Sequence, residues 1–199
     1  MARAGLDRDA VVAAAAAIAD KKGLAALSLK ELAKKLKVQP PSLYNHVDNL
    51  AALHRELGIN GLNLLADRFQ SAAVGRSLDE AVIAISHAYR AFVREHPGLY
   101  EASMVAAPSP RDSEVWAASE KVLRVVVAVV GGYGLSEEQT IHAVRAIRAA
   151  LHGFVSLESA GEFGLPHDID VSFSSLITIL VDGLQALRAD PKKRALGSH

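Results

Sequence analysis

The segment from Ser28 to Val47, SLKELAKKLKVQPPSLYNHV, leaves the backbone little freedom. Leu29, Leu32, Ala33 and Leu36 recur at helical spacing and form one apolar face, while Lys30, Lys34, Lys35 and Lys37 take most of the remaining arc. Ser28 and Glu31 have the spacing of a capping box, which marks where this helix starts. Gln39-Pro40-Pro41 cannot extend it, because proline lacks the N–H and crowds the preceding turn. The same prolines are tolerated in the first turn of a new helix. The spacing therefore predicts two short helices joined by a tight turn, the second rich in hydrogen-bonding tips from Ser42 onward.

Such a pair, with lysines on its first helix, has the pattern of a helix-turn-helix whose second helix enters the major groove. Gln39, Ser42 and Asn45 are the candidates for base edges, since glutamine and asparagine pair bidentately with adenine. Pro40, Pro41 and Leu43 can add apolar contacts to thymine methyls. Tyr44 and His46, with Ser28 and Lys30 on the entering helix, are placed to bond phosphates and set register. The alternative is that Leu43, Tyr44 and Val47 are core residues of a small three-helix domain, which suits Val47, holds in part for Leu43 and on periodicity alone is evenly balanced for Tyr44.

Taken in order, Asp7 to Lys22, Gly23-Leu24-Ala25-Ala26-Leu27-Ser28-Leu29 and Leu43-Tyr44-Asn45-His46-Val47 resemble the tetracycline-repressor (TetR) family of transcriptional regulators. Ala150-Leu151-His152-Gly153-Phe154 is in addition similar to the His-Gly signature of the branch with a WHG-type C-terminal domain. The resemblance implies an all-α fold of about nine helices. A three-helix DNA-binding domain would span residues 1–50, a helical effector-binding and dimerisation domain 51–190, and a loose tail 191–199. The implied partners are a double-stranded, palindromic DNA operator, a small-molecule effector and a second copy of the chain. Two positions depart from the family. Lys37 stands where glycine usually allows a left-handed turn, at a cost of about 1 kcal/mol for a side-chain-bearing residue, so either the turn differs slightly or packing around Val38 offsets the strain. Asp48-Asn49-Leu50 replaces a phosphate-directed lysine, so backbone affinity would lean on Tyr44, His46, Asn49 and the basic helices.

Charge supports the division. Residues through Arg55 carry nine Lys/Arg against five Asp/Glu, and the remainder thirteen against seventeen, within a chain of zero net charge. A basic head on an acidic body turns the molecule toward phosphates. Half of the 199 residues are hydrophobic but only 5% are aromatic, which suits closely packed helices, and no strand periodicity occurs. The unbroken apolar run near Val125–Val130 is too short to cross a bilayer and the N-terminus lacks signal-peptide layout, so a cytoplasmic protein without membrane association is expected. With no cysteine, thiolate catalysis, disulfides and thiolate metal sites are excluded.

Further helix starts are marked by Asp7, by Ser77 with Glu80, by Ser109-Pro110 and by Ser136 with Gln139. Ala10, Val11, Ala14, Ala17 and Ile18 are expected to face inward on the first helix. A long fourth helix from Asn49 to about Ala73 bridges head and body. The last two long helices offer a dimer face through Ile141, Val144, Ile147, Leu151, Val155, Phe173, Leu176, Ile177, Leu180, Val181 and Leu184. His87, Tyr89, Phe92, Tyr100, Met104, Trp116, His152 and Phe154 are aromatic or polarisable groups in an aliphatic body, the composition of an effector pocket. These observations predict a repressor released by a hydrophobic effector, with no cofactor. An activator or an effector-independent DNA binder shares the same head, and a metal-binding body using His87, His96 or His152 stays open. Catalysis finds no motif: His142 and His152 do not converge with Glu158 on one helix face.

Overall fold

The computed structural model describes residues 6–106 and 112–189, and these contain helices and no strand. Nine α-helices follow in order: α1 Arg8–Lys22, α2 Leu29–Leu36, α3 Pro40–Leu43, α4 Leu50–Ala73, α5 Leu78–Glu95, α6 Pro97–Val105, α7 Ser113–Gly131, α8 Glu137–Ala160 and α9 Ile169–Ala189. A 3-10 turn over Leu24–Ala26 separates α1 from α2. The proposed helix start at Ser109-Pro110 and the tail 191–199 lie outside the described residues.

Local chemistry fixes most of the boundaries. Asp7 accepts the Ala10 N–H at 2.7 Å and starts α1, and Asn49 accepts the Ala52 N–H at 2.8 Å and starts α4. Asp112 accepts the Val115 N–H at 3.2 Å ahead of α7. Ser136 and Gln139 form a complete capping box at α8. At α2 only half of the expected box forms: Ser28 Oγ accepts the Glu31 N–H at 3.2 Å, whereas the Glu31 carboxylate takes Lys22 Nζ at 2.9 Å.

The chain forms two compact units, one of Met1–Leu64 with Glu95–Lys121 and one of Leu65–Arg94 with Val122–His199. In the first, α6 seats on α1 and α4. A Cβ on Gly98 would stand 2.2 Å from the Ala19 carbonyl carbon, and one on Gly58 2.8 Å from the Ala102 carbonyl oxygen, so both crossings require glycine. The seat is polar as well. Asp20, near the end of α1, accepts the N–H groups of Gly98 at 2.9 Å and Leu99 at 3.1 Å, and its other oxygen lies 2.9 Å from His96 Nδ1. Glu101 in turn accepts the Leu24 N–H at 3.0 Å. A helix packed on two sides buries a wide arc, which corrects the expectation for α1: Val12, Ala15 and Ala19 are buried with Val11, Ala14 and Ile18, while Ala10 and Ala17 are exposed.

In the second unit α5, α8 and α9 enclose a buried cation. Arg90, 6% exposed, donates to both Glu158 oxygens at 2.9 and 2.5 Å and reaches Asp170 at 2.8 Å. Its guanidinium lies 4.6 Å from the Phe173 ring centroid and 5.6 Å from that of Phe154, favourable for both charge and stacking. At another corner the buried Tyr133 donates to Asp79 at 2.6 Å, which also receives Gln185 at 2.8 Å. Burial first, then the neighbouring Asp79 carboxylate, push the Tyr133 phenol well above its usual range.

Candidate nucleic-acid interface

The interface is built on the α2–α3 corner. Helix α2 ends with Lys37 in the left-handed conformation, φ 57° and ψ 41°. The Val38 N–H donates to the Ala33 carbonyl at 3.0 Å and the Lys37 N–H to the Lys34 carbonyl at 3.3 Å, the paired bonds of a Schellman turn. The family's glycine conformation is therefore adopted by a lysine, and its backbone cost is offset by two satisfied carbonyls and a fixed exit direction. Gln39 then caps α3 with extended geometry and prolines occupy its first two positions.

Helix α3 is short and a turn follows it, in which the His46 and Val47 N–H groups both donate to the Leu43 carbonyl, at 2.9 and 3.0 Å. Leu43 is fully buried and Val47 nearly so. This corrects the expectation for Leu43, whose side chain is core and has no surface to offer a thymine methyl. Gln39, Pro40, Pro41, Tyr44 and Asn45 are exposed, and Ser42 and His46 partly so; Tyr44 is 58% exposed, so it belongs to the surface rather than the three-helix core. Ser28 and Asn49 spend a side-chain oxygen on capping α2 and α4.

Ion pairing decides which head cations are already neutralised by a carboxylate. Arg55 is held by Asp112 at 2.5 Å and Glu114 at 2.7 Å, Arg8 by Glu56 at 3.0 Å and Lys22 by Glu31 at 2.9 Å. The Arg55 hydrogen bond lowers the Asp112 carboxyl to about 2. Lys30, Lys34, Lys35 and Lys37 are exposed, so the positive charge available to a phosphate backbone collects on α2 and its turn.

The expected effector residues separate into two groups. Tyr100, Met104 and Trp116 belong to the first unit, with Met104 36% and Trp116 49% exposed. His87, Tyr89, Phe92, His152 and Phe154 belong to the second. There Tyr89 meets Phe69 at 6.2 Å, Phe154 meets Phe163 at 4.9 Å and Phe173 at 5.0 Å, and His87 meets Phe173 at 5.5 Å between centroids. A separate surface depression of about 300 Å³ is lined by Asp67, Arg68, Ser71 and Ala88. Sequence reasoning missed Arg90 and Phe163; an arginine at helical spacing among apolar residues, in the run Ile85 to Val93, was the available signal.

The expected dimer face needs correction. Val144, Ile147, Leu151, Val155, Phe173, Ile177, Val181 and Leu184 are buried within the single chain, and Ile141, Leu176 and Leu180 partly so. Apolar periodicity identified the stripes that pack inward. Helix α9 is nevertheless sparsely covered, with a mean hydropathy of 1.3 over a window only 17% buried, and by length and composition it could cross a membrane. Val171 and Ile179 on it are 62% and 67% exposed. No group of three or more His, Cys, Asp and Glu suited to a metal occurs among the described residues.

Comparison with known proteins agrees with this geometry. Residues 11–57 match the profile described as bacterial regulatory proteins, tetR family, and residues 82–180 that described as tetracyclin repressor-like, C-terminal domain. The chain is 38% identical over 183 residues to the HTH-type transcriptional regulator YobS of Bacillus subtilis (strain 168), covering 92% of this chain and 94% of that one. It is 35% identical over 182 residues to the HTH-type transcriptional regulator Rv0681 of Mycobacterium tuberculosis, covering 92% and 83%. Among solved structures, a TetR variant from Acinetobacter baumannii AYE in complex with minocycline shares the fold, with a TM-score of 0.67 at 22% identity over 93% of this chain and 99% of that one. An exposed helix-turn-helix tip, lysines beside it and similarity along nearly the whole length lead to one assignment: the chain belongs to the TetR family of DNA-binding, helix-turn-helix transcriptional regulators.

Proposed function

We propose that the protein is a cytoplasmic repressor that binds a palindromic operator as a homodimer and is released by a small apolar effector. The observation that carries the DNA-reading part is the exposed set Gln39, Pro40, Pro41, Tyr44 and Asn45 beside the α2 lysines, on a turn whose buried Leu43 and Val47 hold it in place. One such tip makes few contacts, and two spaced about 34–36 Å apart, or a multiple, supply the rest.

Pairing is supported by α8 and α9. Their outward stripes, Ala146, Ala149, Gly153 and Leu157 on one and Ser175, Ile179, Gly183 and Ala186 on the other, follow helical spacing and carry small residues that permit close helix approach. We read the apolar character of α9 as cover for a second copy rather than as a membrane span, because Ser172, Ser174, Ser175, Thr178 and Asp182 interrupt it. The coupling between effector and head is read to run through α4, Leu50–Ala73. An effector releases DNA only through its preference for the state that cannot span the two half-sites.

The test is selection of bound duplexes from a random pool, followed by a compound screen for displacement of the selected duplex, read by fluorescence anisotropy. Release by an apolar compound is expected. A compound that saturates the protein and leaves duplex affinity unchanged overturns the coupling, and failure to select any duplex overturns the DNA-reading role.

A further inference from the structure

Four charged side chains meet where α5, α8 and α9 converge. Arg90 and Arg94 lie one helical turn apart on α5, and both guanidinium groups donate to one oxygen of Glu158, at 2.5 and 3.0 Å. The second Glu158 oxygen takes Arg90 Nε at 2.9 Å, so this carboxylate is committed. It neutralises one of the two cations. The other is met by Asp170, whose Oδ1 lies 2.8 Å from Arg90 and 3.7 Å from Arg94.

The two carboxylates differ in how firmly they are held. The Glu158 side chain is bidentate and 11% exposed, whereas that of Asp170 is 70% exposed. An ion pair open to water contributes little, so Asp170 can leave while Glu158 stays. Arg90 stays as well, because its guanidinium lies over the Phe154 and Phe173 rings, 5.6 and 4.6 Å from their centroids. With Asp170 displaced, Arg90 and Arg94 present a net positive charge and open donors. The neighbouring wall is aromatic: Phe163, from the connection between α8 and α9, packs on Phe154 with centroids 4.9 Å apart. A carboxylate matches the guanidinium fork, and an apolar tail matches the rings. Asp168 does not compete for the cations, since its Oδ1 accepts the Asp170 and Val171 N–H groups at the start of α9, at 2.7 and 3.4 Å.

We propose that Arg90 and Arg94 form a binding site for an apolar carboxylate, with Asp170 as the internal occupant that such a ligand replaces; this rests on the effector reading and deepens it by assigning the effector an acid group.

The experiment titrates the full-length protein, without DNA, with phenylbutyrate and with phenylbutanol, which keeps the tail and removes the charge, by isothermal titration calorimetry. The acid is expected to bind at least about ten-fold more tightly than the alcohol. Asp170→Asn, which removes the internal anion, is expected to bind the acid about five-fold more tightly, and Arg94→Gln about five-fold more weakly. Both replaced side chains are largely exposed, and circular dichroism of the two variants confirms the fold. Equal binding of acid and alcohol, or an acid affinity unchanged in Asp170→Asn, overturns the inference. So does an acid that binds neither wild type nor Asp170→Asn, the result given by a cluster that only braces the fold. Each of these leaves DNA reading, and release of the selected duplex by a neutral compound, standing. An acid that binds as expected and leaves duplex affinity unchanged supports the site and fails the effector coupling instead.

Discussion

Arg90 and Glu158 form a buried two-pronged pair, with side chains 7% and 11% exposed and the closer contact at 2.5 Å. Removing one partner strands the other charge away from water. Arg90→Ala is expected to lower stability by about 3–5 kcal/mol, and replacing both with apolar residues of similar size to recover most of it. Urea denaturation of the two variants beside the wild type separates these outcomes; an Arg90→Ala variant as stable as wild type contradicts the assignment.

Acid should weaken the fold through the same kind of contact. Arg90 holds the Glu158 carboxyl below its usual range, and Arg55 holds Asp112 at about 2. A carboxyl whose folded pKa lies below its unfolded value binds fewer protons in the folded state, so its stabilisation is complete above the unfolded value and drains away as pH falls through the folded one. Stability is therefore expected to be level above about pH 5 and to decline from about pH 4 toward pH 2, read as a falling urea midpoint. A smaller decline in an Arg55→Gln variant would tie part of it to Asp112.

Neighbouring residues in the recognition turn should respond in opposite ways. Leu43→Ala opens a cavity in the head and is expected to cost about 2–5 kcal/mol of stability. Tyr44→Ala removes a 58% exposed side chain; it should melt as the wild type does and bind the selected duplex about five-fold more weakly, the worth of one phosphate hydrogen bond. Thermal melts paired with anisotropy titrations check both, and unchanged duplex affinity in Tyr44→Ala would remove that residue from the interface.

Lys37→Gly relieves the left-handed backbone at φ 57°. A gain of up to about 1 kcal/mol is expected in denaturation. If Lys37 also meets a phosphate, the slope of log affinity against log salt falls by about 1.

Ile179→Lys places a charge on the uncovered face of α9, where Ile179 is 67% exposed. Sedimentation should show a monomer with wild-type helix content where the wild type sediments as a dimer. A dimer that persists would move the interface elsewhere.

Much of this was readable from residues in order. Capping at Asp7, Ser28 and Ser136, the prolines of α3 and the periodicity of α4 to α9 depend on neighbours within a few positions, so sequence carries them directly. At Lys37 the sequence left two outcomes open, a slightly different turn or a left-handed lysine whose strain is offset, and the structure adopts the left-handed one. Tertiary partners were not legible. Glu31 leaves its expected cap for Lys22, nine residues earlier, and the choice between two local hydrogen bonds is made by packing. The residues expected at the dimer face show a related effect: most of those apolar residues of α8 and α9 are taken by the chain's own core, and what remains outward is largely alanine, glycine and serine, which periodicity barely weighs. Arg90 escaped because its aromatic and acidic partners come from α8 and α9, more than sixty positions downstream.

The seat of α6 on α1 bears on how this regulator can be taken apart. Asp20 caps the start of α6 by accepting from Gly98, 78 positions later in sequence, and Glu101 answers Leu24 across a similar gap. A fragment severed after the third helix would surrender both clasps and lay bare the alanine ridge on which Gly98 rests. Chimeras that graft this reader onto a foreign sensor should accordingly carry α6 with it, and a swap made at residue 50 would trade away the very contacts that keep the reader in shape.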